Sequence, residues 1–181
     1  MERDTSKTDG LRDTPGRILK VNHAGEFGAV NIYRAQILVT SLHRPSYRES
    51  LKAFLSHEKE HRAIFANELT RRGVRRCISL PLCGAGGFIL GFVTALLGRR
   101  AIHACTAGVE TVVLEHLESQ LEELDRIGDT AAHEAVASIV ADEQEHQAHG
   151  AGEQDQGTLY RTVYRLAGRS TEAVIALGMR L

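Results

Sequence analysis

Apolar residues recur at helical spacing through most of this chain, and no alternating strand pattern of any length competes with them. One stripe runs Leu19, His23, Val30, Tyr33 and Ile37, and a second Leu51, Phe54, Phe65 and Leu69. A third runs Val113, Leu114, Leu117, Leu121 and Leu124, and a fourth Val136, Ile139 and Val140. Three prolines, Pro15, Pro45 and Pro81, stand where helices should end. The pattern predicts helices over about residues 16–42, 45–72, 99–127 and 129–153, with a C-terminal helical segment over 158–180. Gly128-Asp129-Thr130 supplies a stop and a fresh N-cap between the third and fourth. The expected fold is all-α: a four-helix bundle of two antiparallel hairpins in one domain, residues 1–181, with residues 1–15 disordered.

Between the hairpins lies an unusual connector. Residues 77–98 read CISLPLCGAGGFILGFVTALLG, 22 residues without a charge, flanked by Arg71, Arg72, Arg75 and Arg76 before and Arg99 and Arg100 after. Its length would permit a membrane span, but Pro81 and the cluster Gly84, Gly86, Gly87 and Gly91 argue against a continuous helix, and a span would part the two hairpins. Two readings stay open: a segment on a membrane surface or against a lipophilic substrate, with the flanking Arg at anionic head groups, or a buried crossover. The length of the uncharged run favours the first. Its glycines lack the spacing and the preceding strand of a nucleotide loop.

The apolar stripes are interrupted by acids and imidazoles in a repeated pattern. Glu26 precedes Glu58-Lys-Glu-His61 by 32 residues, and Glu110 precedes Glu143-Gln-Glu-His146 by 33. A lone Glu-x-x-His carries little weight, because 16 Glu and nine His give about one match by chance. Register carries more, since all six residues lie on or beside the faces that should be buried. Four carboxylates in a core need compensating cations, and two divalent ions would balance them. The i,i+3 spacing puts carboxylate and imidazole on one helix face, within reach of one ion. The set matches the ligands of ferritin-like di-iron and di-manganese bundles. Oxygen-rich donors with one nitrogen per ion suit iron or manganese better than structural zinc. Glu26 and Glu110 are expected as outer ligands, with Glu58 and Glu143 bridging.

Composition narrows the classes. A net charge of -1 gives no electrostatic case for nucleic acid. Cys77, Cys83 and Cys105 form no C-x-x-C, which excludes a rubredoxin-type centre and a disulfide framework and suits a reducing compartment. Met1 to Gly16 shows no targeting pattern.

Five segments then carry a family likeness: VNHAGEFGAVNIYRAQ (21–36), SHEKEH (56–61), LGFVTALLG (90–98), ACTAGVE (104–110) and DEQEHQAHG (142–150). In this order and spacing they resemble the demethoxyubiquinone hydroxylases, di-iron monooxygenases of ubiquinone biosynthesis, from about Arg17 to the C-terminus. The resemblance places the family's metal ligands on Glu26, Glu58, His61, Glu110, Glu143 and His146. It implies a ferritin-like fold, two Fe ions, O2 as co-substrate, an external electron donor that is either NADH or the quinol itself, a polyprenyl quinol substrate and a membrane surface as partner. A homo-oligomer or a partner protein of the same pathway is a further expectation. The chemistry and Arg-rich basic set (18 of 22) favour the cytoplasmic face of a bacterial inner membrane, with the mitochondrial matrix face as alternative.

One departure stands out: His116 keeps the family's position, but the aromatic neighbour is Leu117, which puts a redox or proton-relay role there in question. His23 is either close support for Glu26 or a core imidazole, and Asp142 either orients the opposite imidazole or is solvated. Tyr160, Arg161, Tyr164, Arg165 and Arg169 read as a solvated basic strip. Two rival functions are a ferritin-like ferroxidase, which needs no uncharged connector, and a ferritin-like tRNA hydroxylase, which wants a basic face.

Overall fold

Every predicted helix is present in the computed structural model, which describes residues 5–40, 45–152 and 157–180. The helices are α1 (Thr5–Thr40), α2 (Pro45–Arg71), α3 (Leu80–Leu97), α4 (Arg99–Ile127), α5 (Thr130–Ala137), α6 (Val140–Ala151) and α7 (Thr158–Gly178). No strand occurs among the described residues.

Two helix starts and stops differ from expectation. α1 begins before residue 16 and carries Pro15 inside it. Proline's fixed φ is itself helical, so the helix passes through at the loss of one ladder bond. The disorder expected over residues 1–15 therefore concerns, in part, a helical segment; residues 1–4 lie outside the described residues. The helix expected over 129–153 is broken at Ser138-Ile139 into α5 and α6. Ser138 Oγ turns back to the Ala135 carbonyl at 2.9 Å, a bond that bends helices. At Gly128 the backbone takes a left-handed φ of 79°, and Asp129 Oδ1 accepts the Ala132 N–H at 3.1 Å, as the stop-and-cap reading requires.

α1 and α2 pair antiparallel, since Tyr33 meets Phe54 (5.8 Å between rings) while the earlier Glu26 meets the later His61. α4 and α6 pair the same way, with His103 at His149 and Thr111 at Gln147. The apolar stripes close between the pairs, where Leu19, Phe65, Leu69, Leu124, Val136 and Ile139 are all buried.

The connector is the main correction. It forms a continuous 18-residue helix, α3, long and apolar enough by composition to cross a membrane. Pro81 sits in its first turn, where a missing N–H costs nothing. Gly84, Gly87 and Gly91 form a stripe pressed against α1. A Cβ at Gly87 would collide with the Gly28 carbonyl, one at Gly91 with the Ile32 carbonyl, and one at Gly84 with the Phe27 ring. Close backbone approach thus outweighs their low helix propensity. Phe27, Ile32 and Gln36 meet residues 84, 91 and 94 in ascending order, so α3 runs parallel to α1.

α7 holds the corresponding place on α4. Gly108 abuts Tyr164, and Gly168 abuts Gly108 and Val112. The chain is therefore two copies of a three-helix unit: Glu26 and Glu110, like Gly84 and Gly168, are 84 residues apart.

Candidate metal centre

Four helices converge on one buried cluster. α1 supplies Glu26, α2 Glu58 and His61, α4 Glu110, and α6 Glu143 and His146. All six side chains are buried, none more than 6% exposed. Their ligand atoms form two groups within 4.8 Å: Glu26, Glu58, His61 and Glu143, and Glu58, Glu110, Glu143 and His146. Glu58 and Glu143 belong to both, the sharing expected of bridging carboxylates. All six sequence-derived candidates are brought together.

The hairpins interlock here. His61 Nδ1 lies 2.9 Å from Glu143 Oε1, and His146 Nδ1 lies 3.2 Å from Glu58 Oε1, so each imidazole faces the other hairpin's shared carboxylate. These close approaches are not aligned as hydrogen bonds. Glu58 Oε1, His61 Nδ1, Glu143 Oε2 and His146 Nδ1 are all buried without a hydrogen-bond partner. Lone pairs left open and converging are what a cation satisfies, so the residues present fit a metal pair. On their outer sides the imidazoles are held: His61 Nε2 is 3.0 Å from Asp142 Oδ2, and His146 Nε2 is 3.1 Å from His57 Nδ1. Tyr33 donates its hydroxyl to Glu110 Oε1 at 3.5 Å.

Electrostatics point the same way. Burial, then the charges of Glu58 and Glu143, hold Glu26 well above the usual carboxylate range. Burial and Glu143 do so for Glu58, and burial, Glu143 and Glu58 for Glu110. Burial opposes ionisation of Glu143 too, but His146 and His61 outweigh it and bring that carboxyl to about 2. Burial likewise disfavours a charged His61, yet Glu143, Glu26 and Asp142 lift it to about 9. Without cations, the cluster favours a carboxylate at Glu143 beside His61 and disfavours ionisation of Glu26, Glu58 and Glu110. Divalent ions would let all four ionise.

A cavity of about 420 Å³ reaches the cluster from between α3 and α7. Its inner end holds Glu26, Glu58, Glu110 and Glu143, and its walls include Ile32, Leu90, Val93, Val113 and Leu117. His116 lines it and is half-buried; Leu117, its neighbour, is core.

Asp142 does orient the opposite imidazole. His23 is the core imidazole of the two alternatives, but without the one hydrogen bond expected of it: it is fully buried, both ring nitrogens lack a hydrogen-bond partner, and burial, with Arg62 and Arg76 nearby, pushes it down to about 4. Tyr160 is not on a solvated strip, being buried with its hydroxyl on the Gly150 carbonyl at 3.0 Å, whereas Arg161, Arg165 and Arg169 are exposed. Sequence reading missed His57 and Tyr33 as supports. The signal for His57 was its place one residue before Glu58, matching Asp142 before Glu143; for Tyr33 it was two helical turns from Glu26 on one face.

The sequence is similar to those of known proteins. A 3-demethoxyubiquinone 3-hydroxylase of Dictyostelium discoideum, mitochondrial and NADPH-dependent by name, is 36% identical over 91% of this chain and 76% of its own length. A rat protein of the same name is 31% identical over 91% of this chain and 76% of its own length. A 3-demethoxyubiquinol 3-hydroxylase of Rhodospirillum rubrum is 39% identical over 62% of this chain and 51% of its own length. With a family model matching residues 13–178 as well, this duplicated helical chain with its buried Glu and His cluster belongs to the family described as ubiquinone biosynthesis protein COQ7.

Proposed function

We propose that the chain hydroxylates a demethoxyubiquinol-type polyprenyl benzoquinol in ubiquinone biosynthesis, using two iron ions and O2. The observation that carries this reading is the apolar cavity between α3 and α7 that ends on the carboxylate cluster. A ferroxidase has no use for such a cavity. The names of the relatives supply the substrate class.

Glu26, Glu58, His61 and Glu143 would hold one ion, and Glu58, Glu110, Glu143 and His146 the other, an oxygen-rich set that suits iron. Bound iron would supply reductive activation of O2: one oxygen atom is inserted into a ring C–H bond to give a hydroxyl, and the other, with two electrons and two protons from outside, leaves as water. Of the donors the resemblance implies, a reduced nicotinamide is favoured over the quinol itself, since NADPH is named in two of these relatives. The protein's own residues do the rest. Asp142 and His57 fix the imidazoles, and Tyr33 fixes Glu110. Ile32, Val93 and Leu117 keep the pocket dry, while Asn22 and His116 are polar groups in its wall for a headgroup oxygen to meet.

The substrate tail asks for a lipid-side opening. On α3 the face away from α1 exposes Leu82, Ile89, Phe92, Val93 and Leu96, and Arg99 and Arg100 follow directly. We read this face as lying on a membrane surface, with the tail passing between α3 and α7. The setting is the cytoplasmic face of a bacterial inner membrane or the matrix face of the mitochondrial one, alone, self-associated or with a partner of the same pathway.

The test is turnover of a short-tailed demethoxyubiquinol by iron-loaded protein with NADPH and isotopically labelled O2. One labelled oxygen in the ring product is expected. Iron oxidation without any labelled product overturns the reading.

A further inference from the structure

The two imidazoles of the centre are not supported alike. Positions 57 and 142 each stand one residue before a shared carboxylate, at matching points of the duplicated hairpins. Each reaches across to the other hairpin's imidazole, at 3.1 and 3.0 Å. One copy offers a carboxyl group there, the other an imidazole. The His57 and His146 rings lie within 11° of parallel with centroids 5.3 Å apart, so the shared bond runs close to the plane of both rings. Both supporting side chains are half-buried.

Protonation chemistry makes this difference matter. Nδ1 of His61 and of His146 faces the carboxylates, and an ion held by Nδ1 leaves the proton on Nε2. Each Nε2 must therefore donate outward. Asp142 offers a carboxyl oxygen to accept it. His57 accepts with Nδ1 and must carry its own proton on Nε2. A charge-assisted bond is roughly twice as strong as a neutral one, and it makes His61 the richer donor.

Resting on the metal reading above, we propose that His57 is a positioning residue that fixes His146 and makes the two metal positions unequal. The position of Glu26, Glu58, His61 and Glu143 fills first; that of Glu58, Glu110, Glu143 and His146 fills second.

The experiment is anaerobic titration of the metal-free chain with Fe(II), read by calorimetry and by Mössbauer spectra at half and full loading. The wild-type chain should bind in two steps about tenfold or more apart, with one quadrupole doublet at half loading and a second at full. His57→Leu should weaken the second step about 10–100-fold and leave the first unchanged. His57→Gln, whose side-chain oxygen can accept from His146, should restore it. Asp142→Asn should weaken the first step instead. Two equal steps, or Leu and Gln variants behaving alike, overturn this inference and leave the metal centre standing. Failure to bind Fe(II) at all overturns both. The half-loaded spectrum of the wild-type chain decides even where a variant does not fold.

Discussion

Gly87 of α3 and Gly28 of α1 leave no space between their backbones, because a Cβ on Gly87 would run into the Gly28 carbonyl oxygen. Gly87→Ala should force the helices apart and cost about 1–3 kcal/mol, the usual range for overpacking. Gly86, one residue earlier, meets nothing within 4 Å, so Gly86→Ala should be neutral or stabilising by up to about 1 kcal/mol. Thermal melts of the pair check this. Iron content should hold in both, since α3 supplies none of the six residues of the cluster. Equal melting of the two variants would mean that the helices do not meet so closely.

Glu143 takes part in both groups of ligand atoms, whereas Glu26 and Glu110 each serve one. Glu143→Ala should therefore lose both irons and all detectable hydroxylation, and His146→Ala should abolish activity while lowering iron by about half. Iron analysis and turnover decide. Full iron and activity in the Glu143 variant would sink the ligand assignment.

The metal-free protein should lose stability as pH rises from 6.5 to 9. Glu26, Glu58 and Glu110 are held above their ordinary range, so rising pH ionises them in the unfolded chain before the folded one. His61, lifted from 6.5 to about 9, contributes fully below 6.5 and loses that contribution through about 9. Glu143, at about 2, is ionised in both states across this window, and His23, at about 4, opposes the trend only below 6.5. Melting of chelated protein should fall by roughly 5 °C or more over the window. Bound iron should flatten or reverse the slope, because ion and protons compete for the same atoms. A chelated protein that melts higher at pH 9 than at 6.5 would contradict the cluster's electrostatics.

Phe88 and Leu96 are 40% and 65% exposed, so an Asp at either should leave the fold and the iron intact. Insertion of Asp costs roughly 2.5–3.5 kcal/mol at the bilayer centre and less near the interface, which predicts about a tenfold to hundredfold loss of vesicle binding. Turnover of a long-tailed quinol should fall with it, while a short-tailed soluble one is spared. Unchanged flotation with vesicles would show that this face does not meet lipid.

The cluster was readable in the sequence because its chemistry follows helix period: Glu and His placed three apart on an apolar stripe point inward whatever the details of packing. His57 was not readable alone, since its contact is with a residue 89 positions away on the opposite hairpin. The connector was misjudged for a similar reason. Glycine's helix penalty is local and visible, whereas the close approach to Gly28 and Ile32 that offsets it belongs to the tertiary fold. The break at Ser138 rests on one hydroxyl choosing the Ala135 carbonyl over solvent, a choice the residue type permits without dictating.

Duplication of the three-helix unit has allowed a division of labour. Each group of ligand atoms draws on both copies, so neither half can complete the cluster alone. The third helix of each copy contributes no ligand. The two differ: α3 carries no charge, while α7, its counterpart on α4, carries Arg161, Arg165 and Arg169. The cavity between them has an apolar bank on α3, with Leu82, Ile89, Leu90 and Val93, and a mixed one on α7, with Ser170, Thr171, Val174 and Ile175, an asymmetry that two identical copies of the unit could not provide.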